Sequence, residues 1–110
     1  AGLHFARVLA DLGVADEVAG RLRPFPNGQT AMTAMAAADD ASPVGCTQIT
    51  EILNTPGVRA CGTLPDPHGL VTVYTAAVAT GASSPGAAGT LIELLTAPDN
   101  AAARTAAGFS

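Results

Sequence analysis

The sequence reads LVTVYTAAVA at residues 70–79, and this stretch decides the fold class that we predict. Its apolar residues occupy both alternating faces, which is the pattern of a strand covered on each side and not of a surface hairpin. A strand of this kind lies near the middle of a sheet. We therefore expect residues 70–79 to form the most buried strand of the protein.

Helix signals follow this stretch after a short loop. Ser84 and Pro85 are a favourable pair for the N-cap and the first position of a helix, and the helix stops before Pro98. Residues 99–107 predict a last helix, which Gly108 closes. The chain from residue 70 onward therefore predicts one strand followed by two helices.

Helix signals also precede the stretch. Apolar residues spaced at i, i+3, i+4 and i+7 predict an amphipathic helix that ends near Leu12, with Gly13 suited to the C′ position beyond it. Residues 29–38 are almost all helix formers, and the turn before them, Asn27 and Gly28, offers either residue as a cap. Residues 49–53 predict one or two further helical turns.

Short apolar runs between these helices predict three more strands, at residues 22–25, 44–47 and 58–64. Because strands and helices alternate, the predicted fold class is α/β, built from parallel strand-helix units. The chain begins directly in a helix, without the strand that normally precedes one in such a unit, so we expect the fold to be incomplete at its N-terminus. The predicted core consists of apolar residues from these elements: Phe5, Leu9, Leu12, Met35, Ile52, Val73, Leu91, Ile92 and Leu95.

The composition excludes several classes of protein. The chain has 110 residues, which allows one domain or part of one, and its formal net charge is −4. Its five cations are all arginine and form no basic stripe, so we predict no nucleic-acid partner. No apolar run reaches the length of a membrane span, and no secretory signal is recognisable in the sequence.

Enzyme motifs are also missing from the sequence. It contains no nucleophile elbow, Walker loop, zinc-protease helix or dinucleotide fingerprint. His4 and His68 have no partner nearby in the sequence, and the adjacent Asp39 and Asp40 are typical of a solvated helix end. We expect Glu51 to point outward, because the apolar residues of its short helix form the buried face. We therefore predict no catalytic residue, no metal and no cofactor.

Backbone donors and small polar side chains concentrate at three predicted helix starts, at residues 1–4, 26–30 and 45–49. A helix N-terminus offers unpaired N–H groups and a partial positive charge, so it can hold an oxyanion without a cationic side chain. Each start taken alone is better explained as an ordinary helix cap. Three of them converging would form a neutral anion site.

Five segments, in this order and spacing, resemble the molybdate-type substrate-binding components of ABC transporters: AGLHFARVLADLGV at 1–14, PVGCTQITEIL at 43–53, GVRACGTLP at 57–65, VTVYTAAV at 71–78 and GF at 108–109. The resemblance covers essentially the whole chain. It implies a two-lobe periplasmic-binding-protein fold with an oxyanion in the cleft. In that fold residues 1–57 are part of the second lobe, residues 58–69 are a hinge crossover strand and turn, and residues 70–110 are the C-terminal part of the first lobe.

The resemblance also implies a ligand-binding set at the helix starts, consisting of Ala1, Gly2, Gly28, Gln29, Thr47 and Gln48. At position 48 molybdate binders often have a tyrosine, whereas this chain has a glutamine. Because an amide both donates and accepts hydrogen bonds, the implied ligand is molybdate, a different small oxyanion or a small carboxylate. The implied partners are this ligand and the membrane permease of an ABC importer, and the implied location is periplasmic or extracytoplasmic.

Two cysteines, Cys46 and Cys61, match no zinc or redox spacing, and on residue type they are best explained as buried apolar thiols. The resemblance places them on neighbouring segments of one sheet in an oxidising compartment. A disulfide there would close a loop of about 15 residues and contribute roughly 3 kcal/mol in the chain-entropy model. Both interpretations remain open from the sequence.

A second class of function is a non-catalytic interaction or oligomerisation module. An incomplete α/β fragment has unpaired strand edges and an exposed apolar face, and both favour pairing with another copy of the chain. A homodimer that binds no oxyanion would favour this interpretation over solute binding.

Overall fold

The computed structural model describes residues 1–39 and 42–110 of the chain. Their regular structure is helical. The α-helices are α1 (Gly2–Asp11), α2 (Ala15–Val18), α3 (Gly28–Ala36), α4 (Ile49–Leu53), α5 (Pro85–Thr96) and α6 (Ala101–Ala106). Two 3₁₀ turns, Ala19–Arg21 and Pro98–Asn100, continue α2 and precede α6.

The α/β prediction is wrong, because no described residue lies in a β-strand. The runs predicted as strands, at residues 22–25, 44–47, 58–64 and 70–79, are irregular segments between helices. An apolar run favours an extended backbone, but a parallel strand also needs a neighbouring strand for its hydrogen bonds and a layer over each face. The described residues provide neither for residues 70–79, which are exposed throughout, with Val71 at 86% and Val73 at 83%.

The predicted helix ends, by contrast, are confirmed at two glycines. Gly13 has φ of 71°, and its N–H donates to the Ala10 carbonyl at 2.9 Å while the Val14 N–H donates to the Leu9 carbonyl at 3.1 Å. This pair of bonds is a Schellman motif, which requires the left-handed backbone that glycine adopts most easily. Gly108 ends α6 in the same way, with φ of 93°.

The predicted helix starts are confirmed for α3 and α5. Asn27 precedes α3, and its side-chain oxygen accepts a hydrogen bond from the Thr30 N–H at 2.8 Å, which satisfies one free donor of the first turn. Ser84 and Pro85 occupy the N-cap and first position of α5, although the Ser84 hydroxyl makes no capping hydrogen bond.

The chain divides into two compact units, Ala1–Gly69 and Leu70–Ser110. In the first unit α3 and α4 pack against each other, and the residues with less than a tenth of their surface exposed are Val8, Met32 and Thr55. In the second unit the Arg104 guanidinium donates to the Leu95 and Ala97 carbonyls at 3.0 and 2.8 Å and so holds α6 to the end of α5. The assignment of residues 1–57, 58–69 and 70–110 to lobes and a hinge remains a prediction.

The predicted core is largely wrong. Four of its residues, Leu12, Val73, Leu91 and Leu95, are more than half exposed. The others are half-buried: Phe5, Leu9, Met35, Ile52 and Ile92. The periodicity identified the apolar face of each helix, but the described residues form no sheet layer against which the helices could bury that face.

Candidate functional site

Four of the six predicted ligand-binding residues lie where α3 begins beside the segment that enters α4. Gly28 and Gln29 form the first positions of α3, and Thr47 and Gln48 directly precede α4. The approach is close, because a Cβ atom added at Gly28 would overlap the Thr47 hydroxyl oxygen. Glycine at position 28 therefore allows the two segments to meet.

Glu51 completes this group, and the prediction that it points outward is wrong. The Thr47 hydroxyl donates a hydrogen bond to the Glu51 carboxylate. The same carboxylate lies against Gly28, where an added Cβ would stand 2.6 Å from Glu51 Cδ. A negative charge at the start of α3 is favourable, because the partial positive charge of the helix is concentrated there.

A buried threonine fixes the position of Gln29. The Gln29 side-chain amide donates to the Thr55 hydroxyl at 2.9 Å, and that hydroxyl donates to the Glu51 carbonyl at 2.7 Å. Thr55 is only 5% exposed, so these hydrogen bonds satisfy a hydroxyl that would otherwise be costly to bury. Gln29 is thus tied to the end of α4 by its side chain, while its N–H group is in the first turn of α3.

The remaining predicted residues, Ala1 and Gly2, lie at the start of α1. The Ala1 amino group interacts electrostatically with Cys46, the residue before Thr47. No hydrogen bond among the described residues joins Ala1 or Gly2 to the other predicted site residues. The structure therefore brings Gly28 against Thr47 and Glu51 and ties Gln29 to Thr55, while Gln48 adjoins Thr47 in the chain.

Sequence reasoning missed Glu51 and Thr55. Thr47, Glu51 and Thr55 are each four residues apart, which is the spacing that places side chains on one face of a helix. The apolar face of the short helix, taken alone, predicts an outward Glu51. This four-residue spacing of polar side chains is the signal that would have indicated an inward carboxylate.

Both cysteines are free thiols, so the disulfide implied by the family resemblance is not present in the structure. Burial raises the pKa of the Cys46 thiol, and the positive charge of the Ala1 amino group opposes that shift. Cys61 is exposed, and its thiol donates weakly to the Arg59 carbonyl at 3.7 Å. The expectation that both thiols are buried is correct only in part, for half-buried Cys46.

We predict that Cys61 reacts with a thiol reagent roughly tenfold or more faster than Cys46 at pH 8. The thiolate is the reacting species, and the raised pKa of Cys46 lowers the fraction of this residue that is thiolate, while its burial limits access of the reagent. Alkylation followed by peptide mass spectrometry measures the two rates separately. The difference should narrow as the pH rises, since the Cys46 thiolate is then formed more fully. Equal rates at pH 8, or two thiols that react only after reduction, would contradict this prediction.

The two histidines meet in the first unit. His4, in the first turn of α1, forms a 2.7 Å hydrogen bond through Nε2 with the His68 carbonyl, and the turn that holds His68 is closed by its N–H donating to the Pro65 carbonyl at 2.8 Å. This contact attaches α1 to residues 65–68 and gives neither ring a catalytic partner. Asp39 is exposed, and Asp40 lies outside the described residues.

In residues 1–39 and 42–110 no group of three or more histidine, cysteine or acidic side chains is placed to hold a metal ion. No helix in the described part of the chain has the length and apolar character needed to cross a bilayer.

The family described as "Bacterial extracellular solute-binding protein" matches the chain over residues 1–110. No curated protein and no solved structure matches the chain.

Proposed function

Because the chain belongs to the family of bacterial extracellular solute-binding proteins, and so has a solute-binding role and an extracytoplasmic location in general, we propose that its solute is a small oxyanion or small carboxylate. The protein that receives this solute is, in this proposal, the membrane permease of an ABC importer. The chain acts by binding and delivery and not by catalysis.

The observation that carries the proposal is the meeting of α3's first turn with residues 47 and 48. The N–H groups of a first turn have no partner within their own helix, so those that no side chain caps are available to an oxyanion. In α3 the Asn27 side chain takes the Thr30 N–H, which leaves the N–H groups of Gly28 and Gln29. The Thr47 hydroxyl and the Gln48 amide are neutral groups of the kind that complete such a site. Together they offer an anion several hydrogen-bond donors without a cationic side chain.

Several of these donors must act together. Micromolar affinity corresponds to about −8 kcal/mol, and a hydrogen bond to a charged group contributes on the order of 1.5–3 kcal/mol. Ala1 and Gly2, at the start of α1, are proposed as further contacts to the ligand.

Glu51 gives this proposal a specific consequence. Its carboxylate lies at the start of α3 and accepts a hydrogen bond from Thr47, so it occupies the position that a bound anion would take. An incoming oxyanion competes with this carboxylate for the same donors. Binding therefore requires the Glu51 side chain to turn away.

We predict that Glu51→Gln strengthens binding of the preferred anion by about fivefold or more, since two like charges about 4 Å apart repel by at least about 1 kcal/mol. The glutamine oxygen can still accept the Thr47 hydrogen bond, so the local structure is kept. Calorimetry with molybdate, tungstate, sulfate and acetate measures the affinities. Gln48→Ala should weaken binding of the same anion.

The matched control is Glu93→Gln, which removes the charge of an exposed glutamate in α5. It should leave the affinity unchanged. The proposal fails if no anion gives a heat of binding, or if neither Glu51→Gln nor Gln48→Ala changes the affinity.

The interaction-module alternative is favoured by a different observation. Residues 70–80 are exposed along their whole length, and this run includes Leu70, Val71 and Val73. Exposed apolar segments of this kind can form a contact with another copy of the chain. Elution as a dimer, without any anion binding, would support this alternative and contradict solute binding.

A further inference from the structure

A cavity of about 150 Å³ lies in the first unit, away from the start of α3. Its walls come from the last turn of α3, from residues 43–45, from α4 and from residues 59–62. The side chains of Met35, Val44 and Ile52 make most of its surface apolar. A cavity with such walls is suited to an apolar body of matching size.

Glycine at position 45 shapes this cavity. A Cβ atom added there would overlap Met32 Cε and stand 3.1 Å from Met35 Sδ. The backbone of residues 43–45 therefore lies directly on the two methionines. The lining also includes Gly62, where an added Cβ would meet nothing within 4 Å, so no side chain fills the space from that side.

Among the described residues that line the cavity, Arg59 is the only charged one. Among the described residues no hydrogen bond or ion pair engages its guanidinium, in contrast to Arg104, which binds two carbonyls, and Arg21, which lies 4.0 Å from Glu17. A guanidinium is always charged and presents a planar fork of donors that fits a carboxylate in a bidentate manner. The cavity thus combines one uncommitted cation with apolar walls.

The volume of the cavity and the chemistry of its lining together limit the class of ligand that fits it. A cavity of about 150 Å³ is large enough to hold benzene in an engineered apolar site of another protein. An inorganic oxyanion would leave the apolar walls unfilled, and an uncharged ring would leave Arg59 without a partner. We propose that this cavity binds a small monocarboxylate with an apolar body of about four to seven carbons, its carboxylate on Arg59 and its body against Met35, Val44 and Ile52.

This site is separate from the proposed anion site at Gly28, and its inference does not depend on that proposal. Benzoate is the probe. Benzoate should bind at least about tenfold more tightly than benzyl alcohol, which lacks the charge, and than acetate, which lacks the apolar body.

Arg59→Gln should weaken benzoate binding about tenfold or more, because the substitution removes the charge-assisted bidentate pair. Arg59 is exposed, so the variant should fold normally. Arg7→Gln, at another exposed arginine in the first unit, is the matched control and should bind benzoate as the unchanged protein does. Gln48→Ala and Glu51→Gln should also leave benzoate binding unchanged, which separates this site from the one at Gly28.

Cys61 supplies an independent readout, because it also lines the cavity. Saturating benzoate should slow alkylation of Cys61 at least threefold, and Arg59→Gln should abolish this protection at the same benzoate concentration. The proposal is overturned if benzoate gives no heat and no protection. It is also overturned if Arg59→Gln binds benzoate as tightly as the unchanged protein.

Discussion

Met32→Ala is expected to lower the free energy of unfolding of this protein by about 2–5 kcal/mol, the range found when a fully buried methionine or leucine is truncated. Met32 is 2% exposed and lies beneath the backbone of Gly45, so its removal leaves a cavity that the helix α3 and residues 43–45 cannot easily close. A typical domain is stable by about 5–15 kcal/mol, so the substitution should remove a large part of the total. Urea denaturation followed by circular dichroism measures the change.

Met35→Ala is the matched control, since it truncates the same residue type one turn later in the same helix. Met35 is half-buried, so Met35→Ala should lower the free energy of unfolding clearly less than Met32→Ala does. Both substitutions introduce alanine, the best helix former, and this gain offsets only a few tenths of a kcal/mol of the lost stability in each case. Equal losses for the two variants would show that the core is not centred on Met32.

The helix boundaries could be predicted from the sequence because they depend on local chemistry. The Schellman motif at Gly13, the side-chain cap of Asn27 and the proline at position 85 each act within one helical turn. Their physical basis is the need to satisfy free N–H and C=O groups at helix ends. No tertiary information is required for such a prediction.

The strands could not be predicted in the same way because pairing is not local. Residues 70–79 have the composition of a covered strand, yet Tyr74 contacts Phe109 edge to face at 5.4 Å and the backbone joins no sheet. An apolar run favours a strand only where neighbouring strands are present to pair with it. The core prediction failed for the same reason, since Val73, Leu91 and Leu95 were assigned to a sheet interface that the described residues do not form.

The candidate site was predicted in part because the helix starts were recognised. Gly28 and Thr47 come together, but the carboxylate between them was missed, since its direction depends on the packing of α3 on α4. A glycine at the first position of a helix has a local explanation as a flexible cap. At position 28 the glycine also has an explanation in tertiary packing, because no side chain fits between α3 and Glu51.

Because Gly28 is packed closely against α4, we predict that Gly28→Ala lowers the free energy of unfolding by about 1–2 kcal/mol. The added Cβ would overlap Thr47 Oγ1 and the Glu51 carboxylate and would break the hydrogen bond between them. Alanine is the better helix former by up to about 1 kcal/mol, so the steric cost must exceed that gain. Urea denaturation of the single variant gives the net value.

Two comparisons separate the steric effect from helix propensity. Gly2→Ala makes the same change at the first position of α1, where an added Cβ meets nothing within 4 Å, so it should be neutral or stabilise the protein by up to about 1 kcal/mol. In a background that carries Thr47→Ala and Glu51→Ala, the groups that Gly28→Ala would overlap are gone, and the substitution should likewise become neutral or stabilising. The coupling between position 28 and these two side chains should therefore be about 1–3 kcal/mol. If Gly28→Ala is as harmless as Gly2→Ala in the unchanged protein, then Glu51 does not occupy the start of α3, and its proposed competition with the anion is lost with it.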